Sequence, residues 1–286
     1  MDLEAAQQLL PEFDLVAIEP LDGGEVHANF ELRTADGRDL VLKVYRGELS
    51  WKLGKEAYLL DLVRSRLSIP VPAIVHKGEA ALVMTRLPGR PAGFTDADPV
   101  AVAWQVGAIL RELHTITFES FGYIETRVTN PVSANLEYMR RRVERKVRSG
   151  PAALRDALEG HFAEHEQAFA GCETAVLCHN DAHDANVLVE GSRVTGLVDW
   201  ENAVAADPIL DLAKAYAFSD GRNDETLQAL VEGYGPLRTD WREAFDLYVV
   251  DHLLELWIWF KHLGITDPLP ELEGYLARRV GAAHPN

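Results

Sequence analysis

The chain has 286 residues, 47% hydrophobic and 26% charged, a balance that places it among folded globular proteins and excludes disorder. Its formal charge of −17 disfavours a nucleic-acid backbone or an anionic membrane as main partner, because long-range repulsion slows every encounter. The same acidity would draw in a cationic ligand, and would equally serve solubility alone.

The opening stretch MDLEAAQQLLPEFDL is acidic where a secretory signal is basic, and no segment approaches the roughly 18 uninterrupted apolar residues of a membrane span. The expectation is a cytoplasmic protein. Cys172 and Cys178 are the only cysteines, too few for a disulfide framework and outside metal-ligand spacing, and read as reduced apolar fillers.

Residues 13 to 45 read as extended: HANFELRT and DLVLKVY flank an Asp36-Gly37 turn signal, which predicts a hairpin-rich sheet. Residues 50 to 66 switch to helical spacing, with Leu53, Ala57, Leu60 and Val63 on one face and Ser50 available as a cap. Two short strands follow at AIVHKG and ALVMTRL, and Leu87-Pro88-Gly89 breaks the pattern at a lobe boundary. From residue 98 the chain is mainly helical, with a stripe from Val102 to Leu113 and helices over 133–149, 152–169 and from Trp241 to Phe260. The β-like runs AVLCH, NVLVE and VTGLVDW interrupt that territory.

The segment from His179 to Asn186, HNDAHDAN, followed by Asp199-Trp200-Glu201, carries the chemistry. Phosphoryl transfer needs a carboxylate near the incoming hydroxyl, a metal held by oxygen ligands among the phosphates, and cations around the developing charge. Asp181 and Asn186 lie in one compact loop, the first suited to act as base and the second as a neutral oxygen ligand for Mg²⁺. Asp199, ending a strand, returns a second hard oxygen ligand.

From HNDAHDANVLV through GLVDWENA to DPILDLA the sequence resembles the aminoglycoside phosphotransferase and choline kinase superfamily. The resemblance implies an α+β, bilobal protein-kinase-like fold: a small antiparallel-sheet lobe with one helix over residues 1–87, and a larger, mainly helical catalytic and acceptor-binding lobe over 88–286. It implies that Asp181 is the catalytic base, that Asn186 and Asp199 bind Mg²⁺, and that His179 supports the loop. His183 is read as a loop stabiliser rather than a substrate contact. Asp207 and Asp211 are structural, the first opening a helix at Asp207-Pro208, where a carboxylate suits the exposed backbone donors. Asn180 departs from the glycine usual in antibiotic kinases.

Gly23 and Gly24 match the family's glycine-bearing loop, which brings backbone donors to phosphate oxygens. Lys43 and Glu56 match the kinase lysine and its carboxylate partner. The backbone of Thr85 and Leu87 falls at the interlobe hinge, within reach of a purine edge. The implied reaction transfers the γ-phosphate of ATP or GTP to a hydroxyl of an aminoglycoside or other antibiotic. A metabolic acceptor such as choline, homoserine or a sugar is the alternative, and a catalytically silent nucleotide-binding regulator is the rival from another class. A protein kinase would need a glycine loop and an A-P-E segment that the chain lacks.

Asp251 and Glu255, one helical turn apart, either bind an ammonium-bearing acceptor or are exposed helix charges. The basic run at 140–148 reads as a solvated helical face; Trp257 and Trp259 could stack on a sugar or a base, with core or rim packing favoured for at least one of them.

Overall fold

A computed structural model describes residues 1–21, 27–45, 47–219 and 221–282. The first part is built from α1 (Leu3–Leu9), β1 (Leu15–Pro20), β2 (Ala28–Thr34), β3 (Asp39–Val44), α2 (Lys52–Val63), β4 (Ile74–Lys77) and β5 (Ala81–Thr85). Its five strands form one antiparallel sheet in the order β1-β2-β3-β5-β4. The β2–β3 hairpin turns where expected, and Gly37 adopts φ +83°, a left-handed conformation open to glycine. Strand alternation divides the sheet's apolar residues. Phe30, Leu32, Leu40, Leu42 and Val83 face Ala6 of α1 and Leu10 just after it, whereas Leu82 and Met84 join Leu53, Ala57, Leu60 and Val63 of α2. Buried on both faces, β5 reads as a continuous apolar run, ALVM.

The sequence reading omits α1, whose first turn is capped by Asp2 accepting from the Ala5 N–H at 2.9 Å. Helix α2 starts at Lys52 without a side-chain cap, so Ser50 does not serve as one.

The second part contains β6 (Arg90–Pro91), α3 (Pro99–Leu113), β7 (Thr117–Phe118), β8 (Phe121–Ile124), β9 (Val128–Val132), α4 (Asn135–Ser149), α5 (Arg155–His165), β10 (Ala175–Cys178), β11 (Val187–Glu190), β12 (Arg193–Leu197), β13 (Val204–Ala206), α6 (Pro208–Ala217), α7 (Asp224–Tyr234), α8 (Trp241–Leu263) and α9 (Leu269–Arg279). Just beyond Leu87-Pro88-Gly89 the chain leaves the first sheet, and β6 pairs with β11 in a three-stranded sheet, β12-β11-β6. The remaining strands form β7-β10-β13-β8-β9. Helices α3 and α7 meet backbone to backbone: a Cβ on Gly107 would lie 2.1 Å from the Leu230 carbonyl oxygen. The helix expected over 152–169 is shorter, with 3₁₀ turns over Ala152–Leu154 and Glu166–Gly171. The carbonyls of Ala168 and Phe169 instead accept from Arg238 Nη2 and Asn135 Nδ2, each at 2.9 Å. Among the described residues no helix is long and apolar enough to cross a membrane.

Candidate active site

The loop from His179 to Asn186 joins β10 to β11 and is held from beneath by Asp211 of α6. The Asp211 carboxylate accepts from the backbone N–H groups of His179 and Asn180 at 2.6 and 2.5 Å, and His114 Nε2 lies 3.1 Å from it. Asn180 sits at φ +59°, which explains the departure from glycine: asparagine tolerates the left-handed region, and its amide donates to the Asn202 carbonyl at 3.1 Å. His179 is fully buried, edge-on to Trp200 at 4.5 Å. Burial, outweighing nearby Asp211 and Asp181, lowers its pKa and favours the neutral ring. Asp207 caps α6 through the Ile209 N–H and accepts from Arg238 Nη1 at 2.7 Å and the Tyr248 hydroxyl at 3.0 Å.

The Asp181 carboxylate is gripped on both sides. Its Oδ2 accepts from Asn202 Nδ2 at 3.0 Å, while His183 Nε2 and Lys214 Nζ lie 3.4 and 3.6 Å from Oδ1. Burial works to raise its pKa, but Lys214 and the two histidines outweigh burial and hold the carboxyl well below the usual range. Asn186 Nδ2 donates to the Asp181 carbonyl at 2.9 Å, which leaves the amide oxygen as its acceptor. The Val198 N–H donates to the Asn186 carbonyl at 3.0 Å, binding this loop to the strand end that carries Asp199.

Asp199 adopts φ +65°, and its side chain, 37% exposed, meets Lys43 from the other lobe: Nζ lies 2.8 Å from Asp199 Oδ1, 2.8 Å from Glu56 Oε2 and 2.8 Å from Glu201 Oε2. Burial opposes the Lys43 charge, but Asp199 and Glu56 prevail and raise its pKa well above that of an ordinary lysine. The Tyr45 hydroxyl also donates to Glu56. The sequence-predicted lysine, its carboxylate partner and Asp199 therefore converge across the lobes. At the hinge, the Thr85 N–H is already committed to the Ala73 carbonyl at 2.9 Å, which removes it as a nucleotide donor. The Leu87 N–H has no hydrogen-bond partner among the described residues. Gly23 and Gly24 lie outside the described residues.

Sequence reasoning missed Glu201, which gathers Lys43, Lys52 Nζ at 2.8 Å and His27 Nε2 at 3.0 Å around one carboxylate. Burial alone would raise its pKa; His27 and the two lysines outweigh burial and depress it. The signal was its place two residues after Asp199 on the same turn. Lys214 was missed as well, although PILDLAKAYA carries only Asp211 and Lys214 as charges in a mostly apolar helix, which is unusual enough to ask for the lysine's partner.

The acceptor-side expectation needs correction. Asp251 is fully buried and accepts from Arg142 Nε and Lys146 Nζ, both at 2.8 Å. Glu255 is 34% exposed and accepts from Arg142 at 2.7 Å and Lys146 at 2.6 Å. Neither is an exposed helix charge or a vacant ammonium trap, because the protein's own cations already neutralise both. The run at 140–148 is accordingly not one solvated face. Arg140, Arg141 and Arg148 are exposed, but Arg142 and Lys146 point inward at helical spacing. Trp257 is buried and donates to Glu273 at 3.0 Å, a packing role as expected.

Three solved structures share this architecture. A macrolide 2′-phosphotransferase, MphH from Brachybacterium faecium, is 20% identical with a TM-score of 0.71, covering 99% of this chain and 100% of its own. A putative fructosamine-3-kinase from Thermobifida fusca is 21% identical with a TM-score of 0.75, covering 98% and 100%. Aminoglycoside phosphotransferase APH(4)-Ia is 16% identical with a TM-score of 0.74, covering 97% of each chain. At these identities the likeness shows the fold. A family model for the phosphotransferase enzyme family matches residues 17–245, which include Lys43, the loop around Asp181 and Asp199, and by that match the chain belongs to this family.

Proposed function

We propose that this phosphotransferase is a small-molecule kinase that moves the γ-phosphoryl group of ATP or GTP onto a hydroxyl of an aminoglycoside or other antibiotic. The observation that carries the reading is the 2.8 Å contact between Lys43 of one lobe and Asp199 of the other, a phosphate-binding cation against the strand end bonded to the catalytic loop. In this reading the lobes meet at residues 87 and 88. Asp181 takes the hydroxyl proton as the acceptor oxygen bonds to the γ-phosphorus, and the bridging bond breaks with its electron pair left on the diphosphate. Lys43, positioned by Glu56, offsets charge on the phosphates, and Leu87 offers a backbone donor to the purine.

Asn186 and Asp199 fit an Mg²⁺ ion: both offer hard oxygens, and the Asn186 amide is anchored through its nitrogen. When bound, the ion supplies charge neutralisation among the phosphates. Because Arg142 and Lys146 satisfy Asp251 and Glu255, recognition of the acceptor does not rest on an ammonium contact to them. A nucleotide donor is also a reason to expect the enzyme in the cytoplasm.

The test is an acceptor panel comprising an aminoglycoside, a macrolide, a fructosamine and choline, each with ATP and GTP, the product phosphate being located by mass spectrometry and NMR. Transfer to at least one acceptor is expected, with Asp181→Ala abolishing turnover and retaining nucleotide binding. Turnover that survives Asp181→Ala would remove the assigned base.

A further inference from the structure

Lys214 takes no step in the proposed phosphoryl transfer, yet it is buried beside the proposed base. It is 2% exposed, with Nζ 3.3 Å from Glu255 Oε1, 3.6 Å from Asp181 Oδ1 and 3.7 Å from the centre of the Phe218 ring. Burying an ammonium is costly unless charge and hydrogen bonds balance it. Glu255 does not supply that balance alone. Arg142 and Lys146 already match the two carboxylates Asp251 and Glu255 in number, and His252, whose pKa burial lowers, stays neutral. Lys214 is the surplus cation of this buried group, and Asp181 is the carboxylate that completes it.

The surrounding packing points the same way. Phe218 backs Lys214 and also stands 5.6 Å from the His183 ring, so the two groups facing Asp181 Oδ1 rest on one aromatic side chain. Asn202 fixes the opposite oxygen. Resting on the kinase reading above, we infer that Lys214, held by Glu255, is a positioning residue for Asp181, orienting its carboxylate toward the acceptor hydroxyl. When the hydroxyl proton moves to Asp181 the carboxylate charge is lost, and the Lys214 ammonium remains as uncompensated positive charge beside the phosphoryl group in transfer. That charge acts through a low-dielectric site, where preorganised charges are most effective.

The test compares K214M, K214R, E255Q and Asp181→Ala with the parent enzyme, using Mg²⁺–ATP and the panel acceptor of highest turnover, or water if none exceeds hydrolysis. K214M should lower kcat about 100-fold while the acceptor KM and the dissociation constant for Mg²⁺–ADP stay within about twofold. K214R, which keeps the charge, should recover about tenfold, with E255Q falling between. Unchanged kcat in K214M overturns the inference, as does equal loss of Mg²⁺–ADP binding and unfolding midpoint in K214M and K214R. Should K214M not fold, unchanged kcat in both K214R and E255Q overturns it. Active Asp181→Ala, or a parent enzyme without measurable transfer, sinks the kinase reading itself; an inactive Asp181→Ala beside an unaffected K214M sinks this inference alone.

Discussion

The molecule holds two clusters of buried charge, and they are balanced in opposite ways. Across the lobes, Lys43 and Lys52 face three carboxylates, Glu56, Asp199 and Glu201, leaving an excess of negative charge centred on the half-exposed Asp199. Between α4, α6 and α8, the cations Arg142, Lys146 and Lys214 face Asp251 and Glu255, and the group reaches neutrality only by including Asp181. The first cluster is open in charge, short of a cation, as the proposed binding of metal and phosphate requires. The second, although Glu255 is 34% exposed, is closed in charge: its cations and carboxylates match one another, which suits a fixed carboxylate. On the proposed reading, the same ion-pair chemistry serves ligand exchange in one place and fixed geometry in the other.

The largest expected effect falls on the open cluster. On the proposed reading, Asp199→Asn should lower phosphoryl transfer by about 10³-fold or more, since it replaces an anionic oxygen ligand by a neutral one and removes the charge. Its unfolding midpoint should hardly change, because Lys43 keeps Glu56 and Glu201 as partners. Turnover and urea denaturation measured on one preparation check this, and an unfolded variant would break the contrast between the clusters.

The closed cluster should respond in stability. Asp251→Ala leaves Arg142 and Lys146 to share one carboxylate, at a cost of about 3–5 kcal/mol, or roughly 10 °C in thermal midpoint. Burial works against ionisation of Asp251, but Arg142 and Lys146 outweigh it and bring the carboxyl down to about 2 from the model-compound value of 3.8. A depressed carboxyl contributes stability above its unfolded value and loses it as pH falls through the folded one. The parent enzyme should therefore lose stability between about pH 4 and 2 more steeply than Asp251→Ala.

The open cluster was largely legible in the sequence and the closed one was not. Lys43, Glu56 and Asp199 fall in a fixed order at recognisable positions, and the turn chemistry of HNDAHDAN announces its loop. Asp211 was read as structural through the family resemblance, but its acceptance from the His179 and Asn180 N–H groups appears only in the fold. The closed cluster depends on which way α4 faces, and helical spacing fixes a face without naming its neighbour. RRRVERKVR fits a solvated stripe by composition, and only the docking of α4 on α8 turns Arg142 and Lys146 inward. The α5 region was overextended as well: beyond His165 the chain tightens into a 3₁₀ stretch, Glu166–Gly171, whose carbonyls at Ala168 and Phe169 are met by side chains of distant elements that local propensity does not register.

The smallest effect bears on the charge of the open cluster itself. Lys55 of α2 is buried beside Glu56, its Nζ 3.9 Å from the centre of the Tyr123 ring and without a hydrogen-bond partner among the described residues. Burial, reinforced by Lys52 and opposed by Glu201, Glu56 and Glu125, brings its pKa down to about 7 from 10.5. The unfolded chain then binds a proton below about pH 10.5 that the folded chain takes up only near pH 7, so stability should rise with pH between those values. Lys55→Met should flatten that rise and stabilise the protein at pH 7 by about 1–3 kcal/mol, read from urea unfolding across the range. A neutral Lys55 leaves the cluster with its excess carboxylate, whereas a charged one would cancel it. If the parent enzyme and the variant show parallel stability from pH 7 to 10, Lys55 is a full cation, the cluster is balanced like its counterpart, and Asp199 has no spare charge to offer a metal.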